Sequence, residues 1–136
     1  MTGLRKTCQP RVTFEPGISL YEQVVYAAKK AIVSGQMNPG DSFPSVRALS
    51  KALKINPNTA HKVITHLLNS GLIEVHPGIG TVVANKSAST PLERGVLLNR
   101  ELEELVVEAK KLDLSLEDVT TSLAQHWRRL DGKGKR

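Results

Sequence analysis

Two residues, Lys54 and Ile55, are all that separates the end of one helical pattern from the start of the next. That spacing constrains the fold more than any other feature of the chain. Upstream of it, Ser45 is placed to cap a helix whose buried face carries Val46, Leu49, Ala52 and Leu53. Downstream, Asn56 followed by Pro57 is helix-start chemistry. The asparagine side chain accepts an orphan backbone N–H, and proline at the first helical position has no N–H to lose. The helix that follows carries Ala60, Val63, Ile64, Leu67 and Leu68 at helical period and stops at Gly71. Two helices joined by so short a turn form a helix-turn-helix.

The surrounding pattern completes a known order of elements. Ser19 and Glu22 have capping-box spacing and open an earlier helix with Leu20, Val24, Ala27, Ala28 and Ile32 on one face and Gly35 as its stop. Met37–Asp41 is a turn by composition. After Gly71, Leu72–Val75 reads as a strand, His76–Gly80 as a Gly- and Pro-rich turn, and Thr81–Ala84 as a β-branched return strand. Three helices and a hairpin in this order predict a winged helix-turn-helix over residues 18–86. Residues 1–17 read as a loose basic arm with a short extended piece at Val12–Phe14.

The rest of the chain is helical. A small-residue linker over 87–91 leads into Thr90-Pro91-Leu92-Glu93, which repeats the cap, proline and acid of a helix start. The fourth helix carries Val96, Leu97, Leu102, Leu105, Val106, Ala109 and Leu112. Ser115 and Asp118 open a fifth with Leu116, Val119, Leu123, Trp127 and Leu130. Isolated helices of this length are marginal without packing, and two helices cannot cover both apolar faces, so a second copy of the chain is the expected partner. The predicted interface is Val96, Leu102, Leu105, Val106, Ala109, Leu112, Leu116, Val119, Leu123 and Trp127. The expected fold class is mainly α with a small β-hairpin wing: a winged helix-turn-helix followed by a C-terminal helical hairpin over 92–131 and a basic tail over 132–136.

Charge separates the two halves. Residues 1–86 hold ten Lys and Arg against four acids, Glu15, Glu22, Asp41 and Glu74, whereas the remainder holds nine of each sign. A basic front half and a neutral back half point to a polyanion bound by the first. Cys8 is the single cysteine and has no internal disulfide partner, and the basic N-terminus has no apolar core of a secretory signal; a cytoplasmic protein is expected. No apolar run is long enough to span a bilayer. Four scattered histidines show no metal-ligand spacing, and dinucleotide, phosphate-loop, nucleophile-elbow and zinc-protease patterns are absent, so neither a metal, a cofactor nor an enzyme is expected. Glu101, Glu103, Glu104 and Glu108 read as the wet face of the fourth helix.

Across Pro39-Gly40-Asp41, Phe43-Pro44-Ser45-Val46-Arg47, Ala48-Leu49-Ser50, Asn56-Pro57-Asn58-Thr59, Leu67, Gly71-Leu72-Ile73 and Gly78-Ile79-Gly80-Thr81, the sequence resembles the GntR family of bacterial regulators. Leu20-Tyr21-Glu22-Gln23-Val24 also fits. The likeness covers residues 18–84, and the short helical tail is similar to the YtrA-type branch. The resemblance implies a DNA-binding transcription regulator, most simply a repressor, that reads a two-fold double-stranded operator as a homodimer. Some members carry arginines where this chain has Pro57 and His61, which leaves the base contacts open. Relatives fused to an aminotransferase-like domain imply nothing here, since no room for one follows the wing. A winged helix used only for protein contact, without sequence-specific DNA binding, is the alternative.

The candidate DNA-binding residues follow from helix-turn-helix docking, in which the N-terminal end of the second helix enters the major groove. They are Ser45, Arg47 and Lys51 on the first helix of the motif, then Asn58, Thr59, His61 and Lys62 on the second. His76, Gly78 and Gly80 belong to the wing. A guanidinium at Arg47 is suited to a phosphate or a guanine edge. Of His61 and Lys62, one is expected to face DNA and the other solvent. Any small-molecule effector is unknown, since two helices are too few to enclose a pocket unless a dimer interface makes one.

Overall fold

The computed structural model describes residues 12–85 and 89–131. Cys8, the cations at Arg5, Lys6, Arg11 and Lys86, and the tail 132–136 lie outside the described residues. The chain divides into two compact units, one holding the described residues up to Asn85 and the other those from Ser89 to Asp131.

The first unit contains α1 (Leu20–Val33), α2 (Val46–Leu53), α3 (Pro57–Asn69), β1 (Ile73–His76) and β2 (Gly80–Val83). Local chemistry sets nearly every boundary. Ser45 Oγ accepts from the Ala48 amide at 3.1 Å and starts α2. Asn56 Oδ1 accepts from Asn58 at 2.7 Å and starts α3, with Pro57 in the first turn. At the end of α3, Gly71 takes a φ of +78°. That left-handed step lets the Leu72 amide reach back to the Leu67 carbonyl at 3.0 Å. The turn between α2 and α3 is as tight as its two residues demand. Lys54 adopts a left-handed φ of 56°, and Ile55 is buried beneath it.

The three helices and the hairpin close on one core. Val24 and Ala28 from α1, Leu49 from α2, Ala60, Val63 and Leu67 from α3, and Ile73 and Val83 from the hairpin are all nearly inaccessible. β1 and β2 pair antiparallel, from Ile73 opposite Val83 to His76 opposite Gly80. His76-Pro77-Gly78-Ile79 is a type II turn: the Ile79 amide donates to His76 O at 2.9 Å, and Gly78 has a φ of +80°.

Several details differ from the sequence reading. The chain leaving the expected Met37–Asp41 turn continues along β2 over residues 40–43, a pairing not anticipated from the sequence. Phe43 N donates to Thr81 O, and Gly40 N to Val83 O, both at 2.9 Å, with a bridge from Ser42 to Val82. This third edge buries Met37 and Phe43. Ala52 is exposed, so the buried face of α2 is narrower than its apolar stripe. Leu20 is also exposed, and α1 buries Val24, Val25, Ala28 and Ala31 instead. At the start of α1, Ser19 Oγ accepts from Glu22 N, but no reciprocal bond from Glu22 forms. Gln23 takes over the arm: its amide donates to the Glu15 and Ile18 carbonyls and accepts from Glu15 N.

The second unit begins with α4 (Pro91–Gly95), passes through a π-helical segment (Val96–Glu101) and continues as α5 (Leu102–Lys111). The apolar spacing from Val96 to Leu112 predicts one uninterrupted helix there, which the π segment interrupts. Complete capping boxes open α4, between Thr90 and Glu93, and α6 (Leu116–Arg129), between Ser115 and Asp118. Between α5 and α6, Asp113 adopts a φ of 62°, and the Leu114 amide returns to the Ala109 carbonyl at 2.9 Å. The turn is well made, yet α5 and α6 do not pack along their lengths. α6 buries no residue at all.

Candidate nucleic-acid interface

α3 has 3.6 residues per turn, so its outward face follows from its inward one. Ala60, Val63, Ile64 and Leu67 point to the core. Directly opposite stand Asn58, Lys62, Thr65 and Asn69, all exposed. His61 is exposed on one flank of that row. Thr59 is half-buried on the other flank, where His66 meets the Tyr21 ring edge-on with centroids 6.0 Å apart. The sequence reading named Asn58 and Lys62 of this row and missed Thr65 and Asn69. A helical projection from the four core positions would have found both.

Arg47 and Lys51 lie one turn apart on the exposed side of α2, neighbours at i and i+4. Ser45 keeps its oxygen on the helix cap, so only its hydroxyl proton is available for an outside acceptor. The electrostatics of this region are one-sided. Residues 42–73 contain Arg47, Lys51, Lys54 and Lys62 and not a single Asp or Glu. None of these four cations pairs with a described carboxylate. Two helix N-termini, with their unsatisfied amides and positive dipole ends, fall in the same acid-free stretch. Unpaired cations and helix N-termini without compensating acids suit a polyanion bound through its phosphates.

The wing is less simply cationic. His76 lies 2.9 Å from Glu74 through Nε2 and Oε2, both half-exposed. A phosphate reaching His76 therefore competes with an acid already present. At the tip, Gly78 and Gly80 have positive φ values and open space where a side chain would stand, so another backbone can approach closely. Ile79 between them is 60% exposed.

The second unit presents a different surface. Leu102, Leu105, Val106, Leu112, Leu116, Leu123 and Trp127 are exposed, as is Val96 at the margin. Leu97 and Leu98 join them, and Trp127 is 71% exposed. Ala109, expected on the interface, is instead buried beside the turn, and Val119 is half-buried. Among the described residues no group of three or more His, Cys, Asp and Glu is placed to hold a metal ion, and no helix is long and apolar enough to cross a membrane.

Comparison with known proteins agrees with this geometry. The model of the gntR family of bacterial regulatory proteins matches residues 20–83, which are α1 through β2. The HTH-type transcriptional repressor YtrA of Bacillus subtilis strain 168 is 33% identical over 99 residues, covering 72% of this chain and 76% of that protein. The crystal structure of a transcriptional antiterminator from Listeria monocytogenes EGD-e has a TM-score of 0.79 at 22% identity, over 90% of this chain and 92% of that one. At that identity the likeness is one of fold. A transcriptional regulator from Oenococcus oeni has a TM-score of 0.59 at 26% identity, over 83% and 94% of the two chains.

Proposed function

The chain belongs to the GntR family of bacterial regulatory proteins, whose matched relatives are transcription regulators and not enzymes, and from that premise we propose that it is a repressor that binds operator DNA as a homodimer. The observation that carries the DNA-binding half is the acid-free stretch 42–73, with Lys62 in the exposed row of α3 and Arg47 and Lys51 exposed on α2. In this reading α3 enters the major groove with Asn58 and Lys62 foremost, and Arg47 holds the backbone or a guanine edge beside it. Thr65 and Asn69 extend the row toward the flanking phosphates. The wing offers the Gly78–Gly80 backbone to the neighbouring groove. The exposed apolar faces of α5 and α6 join two chains, and a two-fold protein reads a two-fold site with half-sites about one helical turn apart.

The test begins by selecting bound fragments from genomic DNA with the full chain, which yields an operator and its symmetry. Titration on that operator should then show affinity falling steeply with salt, as phosphate contacts require. Arg47→Ala should cost about 1–3 kcal/mol of specific binding. Unchanged affinity in that variant would remove Arg47 from the site. Binding that ignores salt would favour the reading as a protein-interaction module.

A further inference from the structure

We infer that α6 of each chain seats antiparallel on α5 of a second copy, and that acid–base pairs along both edges of the apolar faces choose that orientation. The inference rests on the homodimer proposed above and specifies how it is built. Both helices carry charge at the margins of their apolar stripes. With each residue turned by about 100°, Glu103 and Lys110 fall on one edge of the α5 stripe and Glu101 on the other. On α6, Glu117 and Arg128 mark the edge equivalent to the first, and His126 and Arg129 the edge equivalent to the second. Antiparallel helices bring like edges together. Glu103 then meets Arg128, Lys110 meets Glu117, and Glu101 meets the His126–Arg129 end. A parallel seating instead brings unlike edges together, which sets Glu101 near Glu117 and Lys110 near the His126–Arg129 end, like charge against like at both. Marginal charges of this kind set orientation and partner choice in paired helices.

The second copy is named because the pairs are not made within one chain. Among the described residues Arg129 is held by the His126 ring at 2.8 Å, and neither Glu101 nor Glu103 has a cationic partner. α5 and α6 do not pack along their lengths, so each leaves its apolar face open. Two copies exchanging α6 satisfy both faces and both charged edges at once, with two equivalent seams related by the two-fold axis.

Charge reversal on the full chain tests this. One variant carries Glu101→Lys and Glu103→Lys, and a second carries Arg128→Glu and Arg129→Glu. Each alone should dissociate at a dimer concentration raised about tenfold or more, since every seam now opposes like charges. An equimolar mixture should recover wild-type dimerisation as a heterodimer, because each reversed α5 meets a reversed α6 of the other chain. A chain carrying all four reversals should also dimerise, which shows that the substituted helices fold. Variants that dimerise like wild type would overturn the inference. So would a mixture that stays monomeric while the fourfold variant dimerises, since the pairs would then lie within one chain. A monomeric wild-type chain would sink the dimer reading itself, a different result from either.

Discussion

Fourteen buried side chains form the core of the N-terminal unit, whereas the described residues of the C-terminal unit bury one apolar residue, Ala109. The two regions are otherwise alike in their local chemistry. Both open their helices with Ser, Thr or Asn caps, and both close them with left-handed residues. The difference shows that capping defines where a helix begins and ends but does not supply the burial that stabilises it. The N-terminal unit combines both within one chain. The C-terminal unit has the ends of its helices well made and their faces uncovered.

The contrast can be broken most severely at Leu67, which is fully buried between α3 and its neighbours. Leu67→Ala should destabilise the N-terminal unit by about 3 kcal/mol, measured by chemical denaturation, whatever the protein concentration. Leu105, 46% exposed in the single chain, should behave oppositely. Leu105→Ala should leave the denaturation of the N-terminal unit unchanged while raising the dimer dissociation constant by about tenfold, read by sedimentation, since two equivalent sites are lost per dimer. Equal effects at both positions would erase the distinction between the units. The smallest expected effect concerns Asp118. The Ser115 amide, and then its hydroxyl, hold the Asp118 carboxyl below its ordinary value of 3.8. A depressed native pKa contributes stability above 3.8 that is lost as pH falls below it through the native value. The start of α6 should therefore loosen in that acid window, followed by the amide signals of residues 115–119. Asp118→Ala should abolish that dependence.

What was legible in the sequence was whatever depends on residues close together in the chain. Ser45, Asn56-Pro57, Gly71, Thr90 and Ser115 mark helix ends because a cap acts over three or four residues. What escaped depends on distant partners. The pairing of Phe43 with Thr81 joins residues 38 apart, and nothing in Met37–Phe43 announces it. Ala52 fits an apolar stripe by spacing, but so small a side chain is indifferent to exposure. Of the candidate interface, Arg47, Asn58 and Lys62 were readable from docking rules. Thr65 and Asn69 needed the inward face of α3 to be known before the outward one could be traced. The His76–Glu74 contact joins residues two apart on one strand face, a spacing that alternation alone makes legible.

The π-helical segment Val96–Glu101 makes one part of the C-terminal rod unlike the rest. A π turn closes its hydrogen bonds one residue later than an α turn, so it holds a surplus residue without turning the flanking helices away from each other. A chain losing one residue between 96 and 101 can revert to plain α-helix with α4 and α5 still facing as they do. The same loss within α5 or α6 would rotate everything beyond it by about 100° and carry its leucines off the shared face. Length variation among descendants of this chain should therefore collect in that one turn, while α5 and α6 keep their residue count.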